Sequence, residues 1–244
     1  MSLEFKIIIL ISIIIIVYFI YSYLKEKKRI KDIKNYCFKK NIYFSEFITN
    51  STLTKNAYNL KTIDRGVDPS IENIMKIEKK ELVITIFDFN YYTEQDVTRS
   101  VKSGTKYKDR KIINSYIHYE TVCIINKPNI VFPRLFLRDK KAISDPHTTF
   151  PAFKQNIIIP GDKNFSSNFI LHGTPDEDVK DFFATEIKNT FIINHVEGYR
   201  YETNQDCFAV SIAKILDIKG RLELLDKSLT IYKEIEFTRK LPSN

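Results

Sequence analysis

The chain has 244 residues, 43% of them hydrophobic and 28% charged, a balance that supports a folded core and excludes general disorder. Glycine is scarce, six in all and none before Gly66, which excludes collagen-like and flexible-linker architectures. The formal charge of +8 divides evenly, +4 within residues 1–34 and +4 over the other 210, so half of the excess belongs to the N-terminal segment.

Lysine outnumbers arginine 29 to 9, in keeping with a coding bias toward Ile, Lys and Asn. No basic face interleaved with aromatics and no known nucleic-acid module occurs, so nucleic acid is not an expected partner. The three cysteines, Cys37, Cys123 and Cys207, are odd in number, widely spaced and free of any C-x-x-C pair. That excludes a disulfide framework and a cysteine-based zinc site, and suits a reducing compartment.

Residues 7–24 are 18 consecutive uncharged residues, 13 of them Ile, Leu, Val or Phe. As a helix they span about 27 Å, close to the hydrocarbon thickness of a bilayer. At about −0.3 to −0.6 kcal/mol each, the 13 contribute roughly −4 to −8 kcal/mol toward insertion. Tyr18, Tyr21 and Tyr23 crowd the C-terminal end, where amphipathic rings favour the headgroup interface. A lone strand has no way to satisfy its backbone in lipid, so the isoleucine run must be helical. A cleaved signal peptide would need small residues near its end, and the first alanine is Ala57. The expectation is a single-pass anchor.

Six Lys/Arg follow the span (Lys25, Lys27, Lys28, Arg29, Lys31, Lys34), while Lys6 alone precedes it. The positive-inside rule places the rest of the chain in the cytoplasm, at the inner membrane of a cell. The same six side chains are candidates for contact with anionic lipid headgroups, at about 1 kcal/mol per basic residue near the surface. The organisation expected is an anchor over 1–24, a basic juxtamembrane stalk over 25–50 with Ile30, Ile33, Tyr36 and Cys37 at helical spacing, and a soluble domain over 51–244.

Strand signals open that domain. Residues 82–92 and 112–125 are rich in β-branched and aromatic residues, and the polar stretch from Thr93 to Asp109 reads as a long connection between them. Pro128-Asn129 turns into a third strand over 130–137, with short strands at 156–159 and 168–171. Thr174, Pro175 and Glu177 have the spacing of N-cap, first helical residue and capping box, opening one helix through about residue 192. A hairpin at 198–203 and 207–214 follows, then a helix over 218–237 with Leu222, Leu225, Leu229, Tyr232 and Ile235 on one side. Strands first, helices late and no βαβ alternation predict an α+β domain with a mainly antiparallel sheet.

A series of short aromatic and turn motifs runs through the domain. They are Asn59-Leu60, Phe87-Asp88-Phe89-x-Tyr91, Thr121-Val122, Pro133-x-x-Phe136 with Arg138, Phe165-Ser166-x-x-Phe169-x-Leu171-x-Gly173, and Val179-x-x-Phe182-Phe183. In that order, over roughly residues 55–237, they resemble an uncharacterised bacterial membrane-anchored family built from an N-terminal transmembrane segment and one domain of unknown function. The chain departs from it in lacking a glycine soon after Asn59 and in having Phe-Pro where Leu-Pro is usual. The resemblance implies an anchored α+β domain and carries no site residues.

Motifs with chemical meaning are weak. Ser103-x-x-Lys106 fits the serine–lysine pattern, but in a polar inter-strand stretch and without an S-D-N partner. His118-x-Glu120 lacks the P-C-x-x-C of zinc deaminases and reads as a solvated pair on one strand face. Cys207 and His195 have the chemistry of a nucleophile and base with no evidence of proximity. Asp176-Glu177-Asp178 suits the first turn of a helix, and Phe87, Phe89 and Tyr91 suit a sheet core with Asp88 and Asn90 on the opposite face. No catalytic, cofactor-binding or metal residue is therefore assigned. The expected function is a membrane-tethered binding or adaptor domain, with a membrane-anchored hydrolase and a lipid-interacting domain as the competing classes.

Overall fold

The structure is a computed structural model and describes residues 3–48, 53–64, 66–103, 106–128, 130–141, 157–159, 163–183 and 185–240. Its first element, α1 (Leu3–Lys40), is one uninterrupted 38-residue helix about 57 Å long. Its apolar half is wholly exposed, with mean hydropathy 2.8 over the best 18 residues, long and apolar enough to cross a membrane. The other half is built into the domain, because Ile33 and Cys37 are fully buried. The segments expected as anchor and stalk thus run through one helix, whose C-terminal end belongs to the core.

The fold is α+β, as the order of patterns predicts. The strands are β1 (Tyr43–Phe47), β2 (Val67–Lys79), β3 (Leu82–Ser103), β4 (Lys106–Asn126), β5 (Phe132–Asp139), β6 (Phe169–Thr174), β7 (Tyr199–Gln205) and β8 (Cys207–Ile212). They form one antiparallel sheet in the order β1-β2-β3-β4-β8-β7-β5-β6. The helices after α1 are α2 (Lys163–Asn168), α3 (Asp176–Phe182), α4 (Thr185–Ile193) and α5 (Ile218–Lys240).

The period-two alternation of the strands divides the core between the two faces of the sheet. Ile84 and Ile86 of β3 and Cys123 and Ile125 of β4 face the helices, packing with Ile33 and Cys37 of α1 and Leu224, Ile231 and Ile235 of α5. Phe87, Phe89 and Tyr91 face the other way and are covered by the segment holding Leu53, Ala57, Leu60 and Ile63. Gly66 leads into β2 on that side at φ +73, where an added Cβ would lie 2.5 Å from the Tyr91 ring. Only glycine suits both the angle and the space.

Several expectations are corrected. The polar stretch from Thr93 to Asp109 is no loose connection: it is the distal half of a β3–β4 ribbon paired rung by rung to Ser103 and Lys106. The helix expected from 174 to 192 is two helices. Pro175 is itself the N-cap of α3 and no side chain caps it, while Thr174 ends β6. The buried line of α5 is Arg221, Leu224, Ser228, Ile231, Tyr232 and Ile235. Leu222, Leu225 and Leu229 are only half-buried beside it, since two polar residues occupy places that an apolar stripe would assign to leucine.

Candidate functional site

An acid at the centre of a strand is costly to bury unless charge and hydrogen bonds surround it. Asp88 sits there, 1% exposed, on the helix-facing side between Ile86 and Asn90. Two arginines from different helices meet it. Arg221 of α5, 0% exposed, donates from Nη2 to Asp88 Oδ1 at 2.5 Å and from Nη1 to the Asn73 carbonyl at 2.6 Å. Arg29 of α1 donates to Asp88 Oδ2 at 2.7 Å, to the Leu216 carbonyl at 2.9 Å, and to both carboxylate oxygens of Glu26. Asn73 Nδ2 donates to Asp88 Oδ2 at 3.0 Å. Burial pulls the Arg221 pKa down, and the Asp88 charge holds it up. For Arg29 burial also works to lower the pKa, but Glu26 and Asp88 raise it on balance.

This cluster has a geometric consequence. One carboxylate clamps α1, the sheet and α5 together. The turn after β8 is fixed by the same group of residues: Thr121 Oγ1 accepts from the Leu216 N–H and donates to the Lys214 carbonyl, both at 3.0 Å.

Above the cluster lies an open cleft of about 980 Å³. Ser22, Lys25, Lys28 and Asp32 of α1 form one wall, and Glu72, Asn90 and Tyr119 of the sheet form the other, with Lys214–Asp217 at the end. Direction along it is set by contacts. Ile33 and Cys37 share a cluster with Ile84 and Ile86, Arg29 meets Asp88, and Ser22 shares the cleft with Asn90 and Tyr119. Moving up α1 toward the apolar run therefore matches moving along β3 from Asp88 toward Ser103. The β3–β4 ribbon leaves the sheet on that side: β2 pairs with β3 only as far as Tyr92, and β8 pairs with β4 only from Thr121.

The six basic residues that follow the apolar run differ in their surroundings. Arg29 is not a headgroup ligand, because its side chain is 11% exposed and tied to Asp88 and Glu26. Lys34 pairs with Glu46 in an exposed bridge. Lys25 and Lys28 line the cleft, and Lys27 and Lys31 are exposed.

The motifs singled out in the sequence do not come together. Ser103 and Lys106 are cross-strand partners in extended backbone, not a helical turn apart. The pair His118 and Glu120 is not solvated, which corrects the expectation. Glu120 is 1% exposed and accepts from Arg200 at 2.5 Å, and His118 stacks on Tyr91 at 4.8 Å with Nε2 2.7 Å from Thr93 Oγ1. His195 bonds Asp139 at 3.1 Å, near the end of the hairpin where Tyr199 opposes Ile212. Cys207 lies at the opposite end, opposing Asn204. Asp176–Asp178 open α3. Among the described residues no group of three His, Cys, Asp or Glu is placed to hold a metal ion.

All three cysteines are free and buried. Burial pushes the thiols of Cys123 and Cys207 up to about 12, with Asp206 adding to the effect at Cys207, and pushes Cys37 up to about 11. Each thiol therefore stays protonated far above neutrality and is shielded as well. At pH 8 the native protein is expected to give no measurable reaction with Ellman's reagent over the time in which the denatured chain gives three equivalents. Rapid native labelling of Cys207 would contradict this placement.

The fold and cleft thus define a class: an α+β domain carried on one long helix fit to cross a membrane. No family model matches the chain, and no curated protein matches it. Among solved structures it is similar to the crystal structure of the mycobacterial trehalose monomycolate transport factor A, TtfA. The TM-score is 0.52 at 10% identity, over 88% of this chain and 97% of that one. At that identity the likeness is one of fold.

Proposed function

We propose that this chain is a single-pass, membrane-tethered lipid-binding protein whose domain works in the cytoplasmic headgroup layer. The observation that carries the reading is the position of the cleft. Its wall begins at Ser22, two residues inside the apolar run that ends at Leu24, so whatever enters the cleft does so at the depth of the headgroups. The ribbon supports the same reading. Beyond Tyr92 it continues for 11 residues on β3, about 35 Å, with six Lys/Arg and two Asp between residues 95 and 112. A charged two-stranded ribbon with open edges is excluded from hydrocarbon, so in this reading it leaves the axis of α1 and lies along the anionic surface of the cytoplasmic leaflet. TtfA is named a transport factor for trehalose monomycolate, a lipid, and the likeness in fold agrees with a lipid-related role.

Orientation rests on the six Lys/Arg after the span against Lys6 before it. A C-terminal alkaline-phosphatase fusion is expected to be inactive and a C-terminal fluorescent fusion bright, and the reverse pair of results would place the domain outside. A protein-adaptor role is the second reading, favoured by β1. That strand is an edge of the sheet and exposes Tyr43 and Phe47, which suits the addition of a partner strand. Cross-linking in native membranes that recovers one protein at stoichiometric yield, and no enriched lipid, would favour it.

A further inference from the structure

We propose that the cleft between α1 and the β3–β4 ribbon binds a single amino-phospholipid, a lipid whose headgroup carries a phosphate followed by a primary ammonium. The inference deepens the lipid-binding reading above and rests on it. It comes from the order of chemistry along the cleft.

Nearest the bilayer the sheet wall is apolar. Opposed residues of an antiparallel pair share a face, so Tyr92 and Ile117, which oppose each other, and Tyr119, which opposes Asn90, all lie on the face that Asp88 occupies, turned toward α1. They are 39%, 48% and 50% exposed. The apolar half of α1 begins at the same end of the cleft, at Ser22, and is also exposed. Two exposed apolar surfaces at that end suit an acyl chain.

Next comes positive charge. Lys25 and Lys28 line the cleft and form no ion pair among the described residues, leaving two ammonium groups to meet a phosphate, while Lys214 lines the end of the cleft on the rung of Asp88. The acids at this level are already engaged: Glu26 is held by Arg29, and Asp217 Oδ1 accepts from the Gly220 N–H at 2.8 Å as α5 begins. Further from the bilayer on α1 comes Asp32, one helical turn or about 6 Å beyond Lys28, and Glu72 faces the helix from the rung of Asp88. Apolar, then basic, then acidic is the order of acyl chain, phosphate and ammonium in an amino-phospholipid leaving the bilayer. A headgroup with phosphate alone would leave Asp32 unmatched and Glu72 held only by Ser70 Oγ, which donates to its Oε1 at 3.1 Å.

The test is native mass spectrometry of the full-length protein, extracted from nanodiscs of equal parts phosphatidylethanolamine, phosphatidylglycerol and phosphatidylcholine. After delipidation that strips annular lipid, one phosphatidylethanolamine per chain is expected to remain. Lys25→Glu with Lys28→Glu should lower its retention at least tenfold. Asp32→Asn with Glu72→Gln should keep a lipid bound but shift it toward phosphatidylglycerol. Circular dichroism of each variant guards against misfolding, and all four side chains stand outside the Asp88 cluster. If one lipid stays bound and neither double variant changes its amount or identity, the cleft assignment is wrong while the lipid-binding reading stands. If the intact protein retains no lipid above the level of an unrelated single-span anchor, the lipid-binding reading itself fails.

Discussion

Replacing Asp88 by alanine is expected to destabilise the domain by about 3–5 kcal/mol, the cost of removing one partner from a buried ionic group. The reason lies in what is left behind. Arg221 is 0% exposed and Arg29 is 11% exposed on its side chain, so both would lose the charge that offsets their desolvation. Asn73 Nδ2 would lose its acceptor as well. Against a typical total of about 5–15 kcal/mol, such a loss brings the domain close to unfolding. Because the same carboxylate joins α1 to the sheet, the change should also loosen α1 from the domain. Urea unfolding of the full-length protein in micelles measures the first effect. Protease sensitivity of the chain near Arg29 measures the second. A midpoint within error of the parent would mean that the cluster is not the clamp described.

Two truncations are expected to differ in kind. A chain lacking residues 1–24 should move wholly to the soluble fraction and stay folded, because every described residue removed is exposed. The apolar run accounts for about −4 to −8 kcal/mol of insertion, which is a partition factor of roughly a thousand or more. A chain lacking residues 1–40 should be insoluble or unfolded. It loses Arg29 from the Asp88 cluster and exposes the core that Ile33 and Cys37 cover, two side chains at 0% exposure. Sedimentation after alkaline carbonate treatment and circular dichroism separate the outcomes. Two equally folded, soluble fragments would show that α1 is a mere tether.

The span was legible because 18 uncharged residues exceed anything a half-buried helix displays. The central strands were legible because β-branched and aromatic residues crowd 82–92 and 112–125. The ribbon beyond them was not. Between Thr93 and Asp109 the sequence is polar at odd and even positions alike, so no period-two pattern marks the strand, which is paired with β4 along its length. Strand β2 was hidden for another reason, since positive φ at Asp68 and Asn73 and two register shifts interrupt its alternation.

The candidate site shows where reading by pattern stops. The motif Phe87-Asp88-Phe89 reveals that Asp88 opposes the aromatic face, which by itself suggests a solvated acid. Its burial depends on Arg29, 59 residues earlier, and on Arg221, 133 residues later. Arg29 in turn reads as one of six equivalent basic residues beside the membrane. Only the clamp distinguishes it from Lys25 and Lys28, which remain in the cleft. A basic residue at helical spacing from Ile33 and Cys37 is the one signal that hinted at an inward turn.

Depth measurement by spin labels tests the position of the cleft most directly. The native cysteines are buried, so single-cysteine labels introduced at Tyr119→Cys, on the cleft wall, and at Lys233→Cys, on the exposed side of α5, report cleanly in proteoliposomes. A paramagnetic metal held on chelating lipid headgroups should relax the label at 119 strongly and the label at 233 little. Equal relaxation at the two sites, at the level of a label in bulk water, would mean that the cleft does not lie at the bilayer surface.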